Sequence, residues 1–308
     1  MKIEIEQISK RYGSVVALDD VTFTIPSGST FGVLGTNGAG KTTLFELLVG
    51  HNRPDAGSIS VGGVDATEAG PRVRTAVGFL PERVGFPGLL TGREVLDVHA
   101  RIRRLGGEST DRIEEVLELV DLCEAADRTI DGYSNGMRTR LGLAAALLAE
   151  PAVLVLDEPT AGLDPMGVEA FHQLIERIGR ERDATVVLSS HVLAEIERLC
   201  DAVAILHEGR LCAADDISTL GAVAGAPARV TITPTDPDAV GRVTEAVRPF
   251  GDVTVGGDSV VVISDPERVA DVVTSLESPW VDSIDIDDPG LEGAFHAAIE
   301  GVAEVPAR

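Results

Sequence analysis

The segment GTNGAGKT, which runs from Gly35 to Thr42, constrains the fold and chemistry of this chain more than any other feature. It fits the pattern Gly-x4-Gly-Lys-Thr, follows an aliphatic run and precedes residues at helical spacing. Glycines let backbone N–H groups converge on phosphate oxygens with no Cβ in the way, and the following helix adds its positive dipole end. We therefore predict a phosphate-binding loop in which Lys41 reaches the β- and γ-phosphates and the Thr42 hydroxyl binds Mg²⁺.

A second motif, VLVLDEP, places Asp157 and Glu158 directly after an aliphatic run. Such a run is typical of a strand buried on both faces of a parallel sheet, and ligands bind at the carboxyl ends of these strands. By itself an Asp-Glu pair is a common solvated strand end. Beside Lys41 it predicts that Asp157 holds Mg²⁺ through water and that Glu158 polarises the attacking water.

Three further motifs follow in the same order as in a known family: YSNGMRTRLGLA, AGLD and SSH, the first before and the others after LDEP. With these motifs, residues 1–220 resemble the ATP-binding subunit of an ABC transporter. The resemblance implies an ATPase that works as a head-to-tail dimer of two copies. Each ATP is then held between one copy's phosphate loop and the other copy's signature loop, and a separate transmembrane permease moves the cargo.

The same resemblance assigns roles to single residues. Ser134 and Gly136 match the signature residues that contact the γ-phosphate held by the partner, and Asp164 matches a dimer-contact aspartate. His191 matches the switch histidine that orders the catalytic water, and Tyr12 matches the aromatic residue that stacks on adenine. The expected phosphate-loop contacts are Gly35, Asn37, Gly38, Gly40, Lys41, Thr42 and Thr43. Taken singly, the Tyr-Ser-Asn-Gly segment also fits a helix N-cap, Tyr12 a hairpin tyrosine and His191 a structural residue after a strand.

The chain departs from the common family pattern at several positions. Thr36 stands where a proline or small residue is usual, and the signature reads Ser-Asn-Gly-Met. Glu82 in VGFLPE occupies the place of a glutamine that links Mg²⁺ to the permease; a carboxylate can bind Mg²⁺ but repels phosphate. The metal candidates are therefore Thr42, Asp157 and Glu82. The LPE and GMR segments resemble those of an exporter-type subgroup of the family. Within it, the segment LPERVGFPGLLTGREVL, together with a small C-terminal domain ending near PGLEGAF, is similar to NosF-like ATPases linked to copper maturation of nitrous oxide reductase.

The pattern along the chain predicts an α/β fold in two domains. Residues 1–220 form a P-loop ABC ATPase domain with a mixed sheet core, an antiparallel β edge that opens with a hairpin over 1–25, and a helical subdomain at about 82–149. Small residues at 221–228 indicate a linker. The order strand 229–234, helix 238–249, strands 252–256 and 259–264, helix 266–277 and strand 281–287 predicts a small ferredoxin-like α+β domain over 229–308. This domain fits either a ligand-sensing module or a dimerisation or docking appendage.

Charge and cysteine content limit the partners and the compartment. With 50 acidic and 26 basic residues the net charge is −24, which argues against broad phosphate contact with DNA or RNA. Only three of the 26 cations are lysines, a bias that is similar to proteins of salt-loving cytoplasms. Three scattered cysteines indicate reduced thiols, and no apolar run reaches the ~20 residues of a membrane span. We expect a cytoplasmic protein bound peripherally to the inner face of the membrane.

Other functions remain as alternatives. A soluble ABC-type ATPase that acts on nucleic acid or ribosomes would carry a coiled-coil arm, zinc-binding cysteines, a basic surface or tandem cassettes, none of which the sequence shows. A generic P-loop kinase or GTPase leaves YSNGM and SSH unexplained. An exporter of another substrate, such as a drug, lipid or sodium, shares all of the motifs above.

Overall fold

The computed structural model describes residues 1–66, 73, 75–106, 109–182, 184–223, 228–265, 268–276, 278–287 and 290–303. The chain divides into two compact units, Met1–Ala214 and Asp215–Arg308. The division lies ahead of the predicted boundary at 220, because a helix over Ile217–Val223 packs against the last helix of the second unit. This helix also covers the start of the predicted linker. Residues 224–227 of the predicted linker lie outside the described residues, and Ala228 already begins a strand.

An antiparallel sheet opens the first unit. Its strands are β1 (Ile3–Tyr12), β2 (Val15–Ile25), β4 (Ala56–Val61) and β5 (Val64–Asp65), in the order β2-β1-β4-β5. Ile3 pairs with Ile25 and Ile5 with Phe23, so the alternating apolar residues of both strands face the core. Gly13, with φ of 61°, turns the chain between β1 and β2. The predicted opening hairpin is confirmed.

A six-stranded sheet forms the centre of the unit. Its strands are β3 (Thr30–Leu34), β6 (Val77–Leu80), β7 (Val153–Leu156), β8 (Thr185–Ser190), β9 (Ala202–His207) and β10 (Arg210–Asp216), in the order β10-β9-β3-β8-β7-β6. The pairs from β9 through β6 are parallel. Every residue of β7 and β8 is buried, as expected for strands covered on both faces. The carboxyl ends of β3, β8, β7 and β6 consequently meet at one edge.

The described part of this unit also contains helices. They are α1 (Lys41–Leu48), α2 (Gly92–Ile102), α3 (Ser109–Leu119), α4 (Asn135–Leu147), α5 (Pro165–Arg182) and α6 (Leu193–Leu199). Three of them, α2 to α4, lie within the predicted helical region at 82–149. Thr91 and Glu94 form a capping box at the start of α2, each side chain accepting the other residue's backbone N–H. Ile113, Val116 and Leu117 form the buried stripe of α3 that the sequence spacing predicts.

The second unit combines helices with an antiparallel sheet. It contains α7 (Ile217–Val223), β11 (Ala228–Pro234), α8 (Ala239–Val247), β12 (Gly251–Gly256), β13 (Ser259–Ser264), α9 (Val269–Thr274), β14 (Val281–Asp287) and α10 (Gly290–Ala303). The strand order is β12-β13-β11-β14, with every neighbouring pair antiparallel. Its small core contains Val230, Ile232, Val243, Val247, Val260, Val262 and Val272. Across the described ranges of the chain, no helix is both long and apolar enough to cross a membrane.

Candidate functional site

The glycine-rich loop connects β3 to α1, and its backbone leaves no room for side chains at two positions. A Cβ on Gly40, which has φ of 103°, would lie 2.5 Å from the carbonyl oxygen of Ala17. A Cβ on Gly35 would lie 2.5 Å from the carbonyl oxygen of Leu206. Both contacts are shorter than carbon and oxygen allow, so only glycine fits. Four other residues of the loop and its helix are predicted to contact phosphate. Of these, Asn37, Gly38 and Thr42 are exposed, and Thr43 is half-buried.

Lys41 is the first residue of α1, and its side chain turns back into the loop. Its ammonium group donates a hydrogen bond to the carbonyl oxygen of Gly35 at 2.6 Å and lies 3.0 Å from Oε1 of Glu158. Only 6% of the side chain is exposed. The loop and the end of β7 therefore converge on one buried cation, as their motifs predict.

Asp157 follows β7 and is buried to 1% exposure. Its carboxylate accepts a hydrogen bond from Ser189 Oγ at 2.7 Å, and its backbone N–H donates to the carbonyl oxygen of Leu80 at 2.9 Å. Burial raises the pKa of Asp157, and the neighbouring Glu158 and Glu82 carboxylates raise it further, while hydrogen bonds from the Ser189 and Thr42 hydroxyls oppose the rise.

Ser189, near the end of β8, holds both acids in place. Besides donating to Asp157, its hydroxyl accepts the backbone N–H of Glu158 at 2.8 Å. Glu158 has φ of 45°, a left-handed conformation that side-chain-bearing residues seldom adopt, so this hydrogen bond secures a strained turn. No sequence motif assigned a role to Ser189. The available signal was the polar SSH end of an otherwise aliphatic strand.

The Glu158 carboxylate bridges two partners. Its Oε2 lies 2.8 Å from Nδ1 of His191, which follows β8, while Oε1 faces Lys41. The His191 side chain is 52% exposed, whereas that of Glu158 is 11% exposed. A shielded carboxylate that contacts a solvent-facing imidazole can accept a proton from water and pass it to that ring. The structure thus joins the predicted base and the predicted switch histidine.

The three metal candidates offer only oxygen atoms. Thr42 hydrogen-bonds to the Asp157 carboxylate, and Glu82, 48% exposed, follows β6 at the same sheet edge. Within the part of the chain that the structure describes, no three His, Cys, Asp or Glu side chains are grouped to hold a metal. This donor set fits Mg²⁺, which binds through one or two carboxylates together with water and substrate phosphates.

A separate groove of about 890 Å³ contains the signature residues. Ser134 begins α4, where its hydroxyl accepts the N–H of Met137 at 3.2 Å, and Gly136 follows in the first turn. Asp164 caps α5 by accepting the N–H of Gly167 at 2.7 Å. All three predicted residues line this groove, and among the described residues none of the phosphate loop does.

Tyr12 ends β1 and is 45% exposed. Its hydroxyl accepts a hydrogen bond from Asn52 Nδ2 at 3.0 Å, and the Lys10 ammonium lies 5.6 Å from the ring centroid. These contacts anchor a ring that stays accessible to solvent. The position is compatible with both interpretations of Tyr12, a structural tyrosine of the hairpin and an aromatic residue that stacks on adenine.

Comparison with known proteins places these motifs in a family. The family model described as "ABC transporter" matches residues 18–161. The bacitracin transport ATP-binding protein BcrA of Bacillus licheniformis is 40% identical over 209 residues, which cover 68% of each chain. The daunorubicin resistance ATP-binding protein DrrA3 of Streptomyces coeruleorubidus is 36% identical over 290 residues, covering 92% of this chain and 90% of that protein.

Solved structures share the fold of about 70% of the chain. An ATP-binding subunit of an ABC transporter is 31% identical, with a TM-score of 0.64, and matches 71% of this chain and 92% of its own. A dimeric bacterial ABC transporter cassette, MJ0796, has the same TM-score at 23% identity, covering 70% of this chain and 98% of its own. At that identity the second likeness concerns the fold alone.

Proposed function

The chain belongs to the ATP-binding subunits of ABC transporters, and from this premise we propose that it works as one half of a head-to-tail dimer around two ATP molecules. Family membership establishes that the chain is an ATP-hydrolysing motor subunit. The proposal concerns how hydrolysis is divided between two copies. One copy supplies the phosphate loop and the acids, and the other supplies the signature loop.

A single observation carries this proposal: the predicted site residues form two separate sets on one chain. Glu158 contacts both Lys41 and His191 at the sheet edge. Ser134 and Asp164 line a groove with no phosphate-loop residue among its described lining. A two-fold arrangement of two copies brings the first set of one chain against the second set of the other, twice. The α4 N-terminus, with its free N–H groups and positive dipole end, suits a phosphate delivered in this way.

The chemistry at each composite site follows from the contacts. The loop N–H groups and Lys41 bind the β- and γ-phosphates, and Glu158 draws a proton from the attacking water while His191 holds the water in line. Thr42, Asp157 and Glu82 would hold Mg²⁺, which supplies charge neutralisation on the phosphates when bound. Tyr12 stacks on the adenine ring from the β1–β2 hairpin.

The partner and location follow from the same family membership. We propose a separate transmembrane permease, with this chain bound to it from the cytoplasmic side of the membrane. The names of the two relatives, bacitracin transport and daunorubicin resistance, support export of an antibiotic-like molecule. The copper-related prediction rests on the segment LPERVGFPGLLTGREVL and the small C-terminal domain ending near PGLEGAF, and it has no support from these relatives.

For the second unit we propose the predicted ferredoxin-like fold. Its elements run β-α-β-β-α-β from β11 to β14, and in the unit's own numbering the sheet order is 2-3-1-4 with antiparallel neighbours. For the whole chain, the excess of acidic over basic residues and the three lysines support adaptation to high salt. Measurement of ATPase turnover against salt concentration tests this adaptation, and we expect the maximum at molar salt.

Mixing two inactive variants tests the composite site. Glu158→Gln removes the base, and Gly136→Asp sets a carboxylate against the γ-phosphate; a Cβ at 136 lies 3.7 Å from Leu163, an ordinary contact, so the variant can fold. Each variant alone has both sites damaged. A mixed dimer has one intact site, so the mixture regains ATPase activity. A mixture as inactive as its components, at concentrations where the wild type turns over, contradicts the proposal.

A further inference from the structure

A buried carboxylate on α6 takes no part in the site described so far. Glu195 is 8% exposed. Its Oε2 accepts two hydrogen bonds, from Ser190 Oγ at 2.7 Å and from Thr160 Oγ1 at 3.0 Å. Its Oε1 lies 3.5 Å from Nε2 of His172 on α5, and neither ring nitrogen of His172 makes a hydrogen bond within the described part of the chain. Two hydroxyl hydrogen bonds therefore anchor this carboxylate.

The two hydroxyl donors belong to the two turns that carry the site. Thr160 lies two residues after Glu158 and four before Asp164, and its carbonyl oxygen accepts the N–H of Leu163 at 3.1 Å. Ser190 immediately precedes His191, and its hydroxyl also accepts the N–H of Val192 at 3.0 Å. One carboxylate oxygen thus joins the turn that leads to Asp164 with the turn that presents His191.

Hydrogen bonds to an ionised carboxylate are about twice as strong as those between neutral groups, and burial removes the competing water. A displacement of either hydroxyl leaves part of a buried charge unsatisfied, which costs more than a neutral bond would. The carboxylate therefore resists separate movement of the two turns.

We propose that Glu195 is a positioning residue that couples two turns. The Asp164 turn comprises residues 158–164, and the His191 turn comprises residues 190–193. This coupling rests on the proposed function in that the Asp164 turn is the surface that a second copy contacts. Arrival of the partner at Asp164 shifts Thr160, Glu195 transmits the shift to Ser190, and His191 takes its place beside the water. Glu195 itself touches no nucleotide, so it acts on turnover and not on ATP affinity.

Hydrogen exchange in the full-length chain tests the coupling directly. Thr160→Val deletes one hydroxyl and preserves shape. We expect it to speed amide exchange both at 158–164 and at 190–193, because the link through Glu195 is lost. In a Glu195→Ala background the same substitution has no further effect at 190–193. Faster exchange confined to 158–164 in the single variant overturns the proposal.

Kinetics give a second readout. Thr160→Val and Glu195→Ala each lower kcat by about tenfold, with the dissociation constant for ATP close to wild type because neither side chain contacts the phosphate loop. The double variant is no slower than the slower single variant, since both act through one link. Thr160→Ser restores the hydroxyl and the rate. Glu197→Ala makes the same change at an exposed position of the same helix and leaves kcat unchanged.

Failure of this inference differs from failure of the proposed function. If the two-variant mixture regains activity but Thr160→Val and Glu195→Ala turn over normally, the composite site stands and Glu195 has no coupling role. If the mixture stays inactive while exchange at both turns responds to Thr160→Val, the link within one chain stands without the dimer.

Discussion

The ammonium group of Lys41 lies 3.0 Å from Oε1 of Glu158, and the two side chains are only 6% and 11% exposed. Each charge is therefore balanced largely by the other. A γ-phosphate in the loop competes with Glu158 for the same ammonium group. We infer that ATP binding turns the Glu158 carboxylate from a partner of Lys41 into a base for water, with His191 already at 2.8 Å from its other oxygen.

Glu158→Gln is expected to bind ATP and to hold the dimer closed. The amide cannot accept the proton of the attacking water, while the loop and Lys41 still bind the phosphates. Size-exclusion chromatography with light scattering, with and without ATP, measures the dimer fraction. Glu118→Gln, at an exposed position of α3, serves as the matched control and dissociates after turnover. A strictly monomeric Glu158→Gln protein in saturating ATP contradicts the two-copy mechanism.

Lys41→Ala is expected to weaken ATP binding by roughly ten- to a hundredfold, the value of one or two charge-assisted hydrogen bonds. The substitution also leaves Glu158 facing the phosphates without a cation between them. Isothermal titration calorimetry provides the affinity. Lys2→Ala removes a lysine whose side chain is 55% exposed and should bind ATP like the wild type. Equal affinities for the two variants would show that Lys41 does not hold phosphate.

Asp157→Asn is expected to stabilise the fold at neutral pH and to abolish Mg²⁺-dependent turnover. Because burial raises the pKa of Asp157 above its unfolded value, the ionised form costs stability once the pH passes that raised pKa. The gain should be present near neutral pH and vanish below about pH 4, where the carboxyl is protonated in both states. Thermal unfolding across this range, without nucleotide, provides the comparison. A variant less stable than wild type at neutral pH refutes the argument.

Glu82→Gln is expected to shift the acid limb of the pH profile of kcat/KM to lower pH. The Glu82 carboxylate raises the pKa of Asp157, so its removal lowers that pKa and keeps Asp157 ionised in more acidic solution. Profiles at saturating Mg²⁺ test this shift. Glu6→Gln, on the exposed side of β1, should leave the limb in place. A shift in the opposite direction, or no shift, contradicts the effect assigned to Glu82 on the pKa of Asp157.

Local patterns were sufficient for the loop and the acids but not for the residues that hold them. GTNGAGKT and VLVLDEP each place their residues through contiguous sequence, since the strand, turn and helix follow one another. Ser189 and Asp157 lie 32 positions apart, and Glu195 and Thr160 lie 35 apart. Their contacts depend on β7 and β8 being neighbours in the sheet. The end of the first unit was likewise set by helix packing at Ile217–Val223, which small residues at 221–228 do not reveal.

The left-handed backbone of Glu158 also limits which amino acids this position can accept. Glycine and asparagine adopt such a bend readily, whereas valine and isoleucine clash with their own main chain there. Glycine would therefore give an intact but catalytically silent protein, and a β-branched residue would disturb the Ser189 hydrogen bond as well. Among random substitutions at position 158, the ability of each residue to adopt a left-handed backbone should therefore decide whether the protein folds, and the side-chain chemistry should decide activity only among the variants that fold.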